Sequence, residues 1–325
     1  MTLGLVPPDF AARVGAYPSD GYLPGRDWVE ALPGLLADLL DEWGLEPAGA
    51  TLTGSCSVAL PVRPRGRGGD GPDRGGAVAA GCSAGPEAGV GDAVLKVTWP
   101  HPEAAGEALA LQAWDGNGAV RLLRADPRRF ALLLERLHPR DLTTVDIDTA
   151  CEVLGDLLAT LRRPAHARVP TLAAYADRQA TELRAAAPVI PRRYLDQASR
   201  LAGELASESA GPRWLLHTDL HYGNVLAADR CPWLAIDPKP MAGDVAFEVA
   251  PALANRADAL GTGSTVRWAL RRRLAMICER AGIDEDRARA WTIVREADTA
   301  VDLAAHPSGR GRTSLAVMII KAMND

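Results

Sequence analysis

The stretch His217-Thr218-Asp219-Leu220-His221-Tyr222-Gly223-Asn224-Val225-Leu226, with Leu234-Ala235-Ile236-Asp237-Pro238 close behind it, decides how the rest of the chain is read. An Asp stands five residues before an Asn, and a further Asp follows that Asn by thirteen residues. Phosphoryl transfer from a nucleotide asks little covalent chemistry of a protein. It asks for a carboxylate to take the acceptor's proton and for oxygen ligands that hold a divalent metal against the phosphates. Asp219 suits the first task, while Asn224 and Asp237 suit the second with hard oxygen donors. Taken singly, Asp and Asn are ordinary turn residues, because they hydrogen-bond their own backbone. Turn preference does not account for the joint spacing.

Working outward, the motif is flanked by short strand candidates: Trp214 to Leu216, Val225 to Leu226 and Trp233 to Ile236. From Leu142 on, the surrounding sequence is mostly helical. Ile147, Ala150, Val153, Leu154, Leu157, Leu158 and Leu161 form one apolar face, and Leu195, Ala198, Leu201, Ala202 and Leu205 another.

The N-terminal part has a different grain. Residues 26 to 43 carry Trp28, Leu32, Leu35, Leu36, Leu39, Leu40 and Trp43 at helical spacing, a packing face. Ala50 to Val62 then reads as two short strands bent around Thr53-Gly54-Ser55, and Ala93 to Thr98 as a third. A helix is expected from Pro102 to about Trp114, followed by strands at Ala119 to Leu123 and Phe130 to Leu137. Lys96 lies alone among apolar strand residues. Such a lysine usually snorkels to solvent, but here a Gly/Ser turn precedes it and a helix with two glutamates follows. It is therefore placed to meet phosphates while Glu103 or Glu107 fixes it. Glu107 is preferred, because an acid in the first turn after Pro102 is expected simply to complement the helix dipole.

Residues 63–92 hold ten glycines and almost no large apolar side chain, so a flexible insertion between two strands is expected. Gly66-x-Gly68-x-x-Gly71 within it lacks the strand and helix that a dinucleotide fingerprint needs. The division expected is an N-lobe over residues 1–137, carrying N-terminal helices and this insertion, and a C-lobe over 138–325. The chain has 325 residues, 47% of them hydrophobic, enough for a sizeable core. A net charge of −5 leaves no basic footprint for nucleic acid and tolerates a cationic substrate. With five cysteines but no C-x-x-C pair, no zinc site is indicated. No leader or membrane-length apolar run is seen, so a cytoplasmic location without membrane contact is expected.

These pieces resemble the aminoglycoside phosphotransferase branch of the protein-kinase-like fold, and within it the streptomycin 6-kinase and hydroxyurea kinase group. The segments that carry the likeness are 95–100, 119–123, 132–137, 216–226 and 233–238. The fold class implied is α+β and two-lobed, with a small β-rich N-lobe and a larger helical C-lobe. The resemblance implies ATP (or GTP) and Mg2+ as cofactors, Asp219 as catalytic base, Asn224 and Asp237 as metal ligands, and Lys96 with Glu107 as the phosphate-positioning pair. It further implies that Ser55 and Ser57 cover the phosphates and that the backbone of Glu135 to Leu137 meets the nucleotide base. His217 and Asp244 would support the catalytic loop, although Asp244 reads equally well as a helix N-cap.

Two departures stand out: the insertion lies where relatives have a short hairpin, and Asp237 is followed by Pro-Lys-Pro instead of Phe-Gly. A protein kinase would carry a longer activation segment ending in Ala-Pro-Glu, and none follows Asp237. A pseudokinase would have lost the base or a metal ligand. The expected partner is a small, cationic hydroxyl acceptor such as streptomycin, with hydroxyurea or another metabolite as the alternative, handled by a monomer or weak dimer. Glu248, Asp298 and Asp302 are candidate acceptor contacts, drawn from a set that also includes Asp258 and Glu296.

Overall fold

A computed structural model describes residues 6–18, 22–66, 92–208, 213–304 and 310–324. The expected glycine-rich insertion falls outside these residues, except at 63–66 and 92. The chain divides into two compact units, residues 1–138 with 228–232, and residues 139–227 with 233–325.

The first unit opens with α1 (Pro8–Gly15) and α2 (Gly25–Glu42), then β1 (Leu45–Pro47), β2 (Leu52–Thr53), β3 (Ser57–Pro64) and β4 (Ala93–Thr98). It continues with α3 (Glu107–Trp114), β5 (Leu122–Asp126) and β6 (Ala131–Glu135). The strands form an antiparallel sheet in the order β1-β3-β4-β6-β5, with β2 added beside β1 on β3. Alternation along β3 turns Val58, Leu60 and Val62 inward, where they meet Leu95 and Val97 of β4 and the Trp28, Leu32, Leu36 and Leu39 stripe of α2. That stripe is why residues 25–42 are helical in this context: its apolar side chains cover the sheet.

Three details depart from the sequence reading. The expected helix at Pro102 begins as a 3₁₀ turn over Pro102–Gly106, and the α-helix starts only at Glu107. The fifth strand lies at Leu122–Asp126, a few residues later than its apolar run suggests. Helices are expected at the N-terminal end of this unit, but the pattern gives no bounds for α1 and does not show β1. The first turns only Phe10 and Val14 inward and the second is three residues long, too little for periodicity to register.

The second unit holds α4 (Ile147–Thr160), α5 (Leu172–Ala185), α6 (Arg192–Ser207), β7 (Trp214–Leu216), β8 (Val225–Ala227), β9 (Trp233–Ala235) and β10 (Met241–Gly243). It ends with α7 (Ala250–Ala254), α8 (Ser264–Ala281), α9 (Glu285–Ala304) and α10 (Arg310–Met323). Helix α5 packs on α6, α4 on α8, and α9 on α10. Asp146 and Thr171 cap α4 and α5 by accepting backbone N–H groups of the first turn. No described helix is long and apolar enough to cross a membrane.

Two small two-stranded sheets interrupt the helices. β7 pairs antiparallel with β10, Leu216 opposite Met241, and β8 pairs with β9, Val225 opposite Ala235. This pairing brings the turn 217–224 and the turn 236–240 side by side, which is how residues far apart in sequence come to share one site.

Candidate active site

The two adjacent turns are stitched together through their backbones. Ile236 N donates to Asn224 O at 2.9 Å, and Lys239 N donates to His217 O at 2.9 Å. Thr218 Oγ1 donates to Lys239 O at 2.6 Å, and His217 Nε2 faces Ile236 O at 2.9 Å. Two non-glycine residues in these turns sit in the left-handed region, Thr218 at φ 60° and Asp237 at φ 59°. Such a conformation costs an L-residue about 1 kcal/mol or more, and it persists only where neighbouring bonds over-determine it. Here those bonds are the stitches.

The chemistry-bearing side chains lie on this frame. Asn224 Nδ2 donates to Asp219 O at 2.9 Å and lies 3.5 Å from Asp219 Oδ2, so the carboxamide nitrogen faces Asp219. Lys239 Nζ stands 3.1 Å from Asp219 Oδ2, an ammonium beside the candidate base. His221 caps the 3₁₀ turn Tyr222–Asn224 by accepting Gly223 N at 3.1 Å, and burial pulls its imidazole below the usual range. Tyr222 is buried with its hydroxyl 3.3 Å from Cys151 Sγ of α4, which anchors the turn to the helical core.

Glu248 holds the frame from below. It lies in a 3₁₀ turn over Val245–Val249 and is only 5% exposed; its Oε1 accepts His217 N at 2.5 Å and its Oε2 accepts Thr218 N at 2.8 Å. Burial pushes its carboxyl up to about 7 against the pull of those two donors. The sequence reading placed Glu248 among acceptor contacts, whereas both its oxygens are taken by the loop backbone. Asp244, which reads equally as loop support or as a helix N-cap, caps the 3₁₀ turn that carries Glu248, through Ala246 N at 3.0 Å, and ties it to α9 through Arg287 Nε at 2.6 Å and Trp291 Nε1 at 3.0 Å. A lone acid within the apolar run Val245–Ala254 was the available signal for Glu248, since a buried carboxylate needs partners. Lys239 had no such signal beyond the unusual Pro-Lys-Pro.

His217 is fully buried and accepts Asp219 N at Nδ1, 3.3 Å away, while Nε2 faces the Ile236 carbonyl. That pattern suits the neutral ring, and burial pulls its pKa from the ordinary 6.5 down to about 4. The folded state therefore favours the neutral form. The stability this contributes is present above pH 6.5 and is lost as pH falls toward 4, in all about 3 kcal/mol. The melting temperature of the wild type should fall toward that of His217→Gln as pH drops through this window. A gap that stays constant from pH 7 to 4.5 would contradict the neutral-ring assignment.

In the first unit, Lys96 Nζ donates to Glu107 Oε1 at 2.6 Å, with the two side chains only 9% and 5% exposed. Glu103 is exposed in the preceding 3₁₀ turn. Register places Lys96 opposite Ala59 and Leu132, in the middle of the sheet. The turn between β2 and β3 is tight: Gly54 N donates to Ser57 O at 2.9 Å, and a Cβ on Gly54 would lie 2.9 Å from Ser57 Oγ. Ser55 is exposed at its tip, and Ser57 is half-buried at the start of β3.

Glu135 ends β6 with an occupied side chain. Arg230 Nε lies 3.0 and 2.9 Å from its two oxygens, and Arg121 N donates to Oε1 at 2.7 Å. Arg230 also donates to Gly116 O at 2.7 Å and Ala119 O at 2.8 Å. The Glu135 side chain thus fixes the strand end, and Leu137, half-buried, follows two residues later.

The remaining acidic candidates separate into three kinds. Asp298 Oδ2 accepts the Tyr175 hydroxyl at 2.7 Å, and burial pushes its carboxyl up to about 6, with Asp302 one helical turn on adding to the rise. Asp302 itself is exposed. Glu296 is buried and bound by both Arg312 Nη atoms at 2.7 and 3.0 Å, and Asp258 is exposed away from any motif.

An antiparallel sheet with a buried Lys–Glu pair, and a helical unit with an Asp, Asn, Asp constellation on stitched turns, define a protein-kinase-like phosphotransferase. A solved structure shares the fold. A thermostable mutant of aminoglycoside phosphotransferase APH(4)-Ia, solved in a ternary complex with ADP and hygromycin B, superposes with a TM-score of 0.55 at 14% identity, over 89% of this chain and 98% of that one. Residues 87–306 match the family described as aminoglycoside/hydroxyurea antibiotic resistance kinase, and the chain belongs to it. Streptomycin 6-kinase of Streptomyces glaucescens is 40% identical over 278 residues, covering 83% of this chain and 82% of that one. Hydroxyurea phosphotransferase of Kitasatospora aureofaciens is 39% identical over 287 residues, covering 85% and 74%.

Proposed function

We propose that the protein transfers the γ-phosphate of ATP (or GTP) to a hydroxyl of an aminoglycoside such as streptomycin, inactivating the drug in the cytoplasm. One observation carries this reading: Asp219, Asn224 and Asp237 stand on two turns whose backbones are bonded to each other. Asp219 takes the proton of the acceptor hydroxyl as the oxygen attacks, and Lys239 beside it holds the carboxylate in place.

The donor set fits magnesium. Asn224 spends its nitrogen on the Asp219 carbonyl, which leaves Oδ1 as its ligand atom, and Asp237 adds an anionic oxygen. No group of three or more His, Cys, Asp or Glu side chains that could hold a metal occurs among the described residues. A cation that keeps several waters and shares itself with substrate phosphates needs no such cage. When bound, magnesium neutralises charge developing on the phosphate oxygens.

From the first unit, Lys96, fixed by Glu107, meets the α- and β-phosphates, the Ser55–Ser57 turn covers them, and the backbone of Glu135 to Leu137 meets the base. Asp298 and Asp302 contact the cationic acceptor, whereas Glu248 is withdrawn from that role by its position under the loop. Hydroxyurea is the second reading, favoured by the 39% identical relative that phosphorylates it. Magnesium-dependent consumption of ATP across streptomycin, other aminoglycosides, hydroxyurea and sugars decides between them. The expected outcome is turnover stimulated most by streptomycin; turnover with hydroxyurea alone would move the reading to the second, and none with any acceptor would end both.

A further inference from the structure

Besides its own bond from Gly54 N to Ser57 O, the turn between β2 and β3 is held from outside. Arg13, on the exposed side of α1, donates from Nη2 to Gly54 O at 2.8 Å and reaches Ser55 O from Nε at 3.4 Å. The Tyr17 hydroxyl, just beyond the end of α1, lies 3.4 Å from the same Ser55 oxygen. The next carbonyl, that of Cys56, accepts Trp99 N at 2.8 Å, and the Trp99 ring lies 5.4 Å from the Tyr17 ring. Three consecutive carbonyls of one exposed turn thus take donors from outside it.

The corner that presents these donors is rigid. Phe10 and Val14 bury the opposite face of α1, and Phe10 meets Trp28 of α2 edge-on at 6.1 Å. Gly25 N donates to Tyr17 O at 3.2 Å where α2 begins, and a Cβ on Gly25 would lie 1.9 Å from Val14 O. Only glycine allows that approach, and it locks α1 against the start of α2. The Arg13 guanidinium lies 5.6 Å from the centre of the Phe10 ring, which sets its direction.

The consequence for the turn follows from peptide geometry. In a trans peptide, the C=O of one residue and the N–H of the next point in opposite directions. With the Gly54 and Ser55 carbonyls drawn toward Arg13 and Tyr17, the N–H groups of Ser55 and Cys56 point away from α1. Two successive N–H groups on one side of a turn make a concavity suited to an anion, and the carbonyls that would repel it are turned aside. We propose that α1 is a clamp on this turn, with Arg13 and Tyr17 as positioning residues that aim its N–H groups at the nucleotide phosphates. The inference rests on the reading of the turn as the phosphate cover.

The test measures binding of ATP, ADP and adenosine by calorimetry, and steady-state kinetics, for the wild type, Arg13→Met, Arg13→Lys and Tyr17→Phe. Methionine keeps an aliphatic stem over Phe10, and melting temperatures check that the fold is retained. Arg13→Met should weaken ATP and ADP about five- to tenfold, less than the full worth of a charge-assisted hydrogen bond, because the bond lost is to the turn and reaches the nucleotide only through it. Adenosine affinity, kcat and the acceptor KM should stay within about twofold, because a clamp on the phosphate turn touches none of them. Arg13→Lys should recover only part of the loss, since a single nitrogen does not reproduce the guanidinium fork that reaches the two carbonyls from Nε and Nη2, and Tyr17→Phe should lose about twofold. If the wild type binds ATP and Arg13→Met binds it equally well, the clamp is wrong and the reading of the turn survives. Full recovery in Arg13→Lys would make charge alone responsible and also overturn the clamp. If the wild type binds no ATP, the reading fails, and the inference with it.

Discussion

Asp219→Ala should lower kcat by about a hundredfold or more, the range for removing a positioned general base. The fold gives reason to expect that this loss is chemical. The bond that Asn224 Nδ2 makes to residue 219 uses the backbone carbonyl, which alanine keeps, and the loop's main support comes from Glu248 to the N–H groups of residues 217 and 218. The contact with Lys239 is lost, and with it the longer one from Asn224 Nδ2 to the carboxylate. Nucleotide affinity should therefore be retained, with the decrease confined to turnover in the presence of the acceptor. Paired measurement of kcat and of ATP binding checks both halves, and near-full activity in the variant would remove Asp219 from the mechanism.

The metal site makes the sharper demand on residue identity. Asp237 stands at φ 59°, a conformation that asparagine adopts as readily as aspartate, so Asp237→Asn keeps the backbone and removes the charge. Loss of a full negative charge from a site that holds a divalent cation against phosphates is worth several kcal/mol, about a thousandfold or more in turnover. Asn224→Ala removes a neutral oxygen ligand together with the bond to the Asp219 carbonyl, so its activity should fall less far. Asn224→Asp keeps an oxygen at the position and should retain some turnover, with manganese favoured. Activity titrated against magnesium separates the three variants. If the two residues merely shaped turns, all three would change stability and leave the metal requirement as it is in the wild type.

What could be read from the sequence was what is local. Strand β4 over Ala93–Thr98 and helix α4 over Ile147–Thr160 carry their periodicity in their own residues, and the fold class and family follow from segments of that kind joined to one motif. What escaped depends on partners distant in the chain. Glu248 meets His217 and Thr218 across about thirty residues; its place as the lone acid in an apolar run says that it needs partners but not which, whereas Asp244, four positions earlier, caps a turn. Lys239 reaches Asp219 only because β10 returns to pair with β7. Arg13 touches Gly54 and Ser55 from an element too short to register as a pattern. Between Glu103 and Glu107 the dipole argument favoured the second, and it is Glu107 that lies 2.6 Å from Lys96.

The most direct test is to incubate the wild-type protein with ATP, magnesium and streptomycin, and to examine the drug by mass spectrometry and phosphorus NMR. One phosphate ester on a streptomycin hydroxyl, formed in step with ADP, absent without magnesium and all but absent with Asp219→Ala, is the predicted result. Streptomycin recovered unmodified while ATP is consumed would contradict the acceptor. Streptomycin phosphorylated at an undiminished rate by Asp219→Ala would contradict the site.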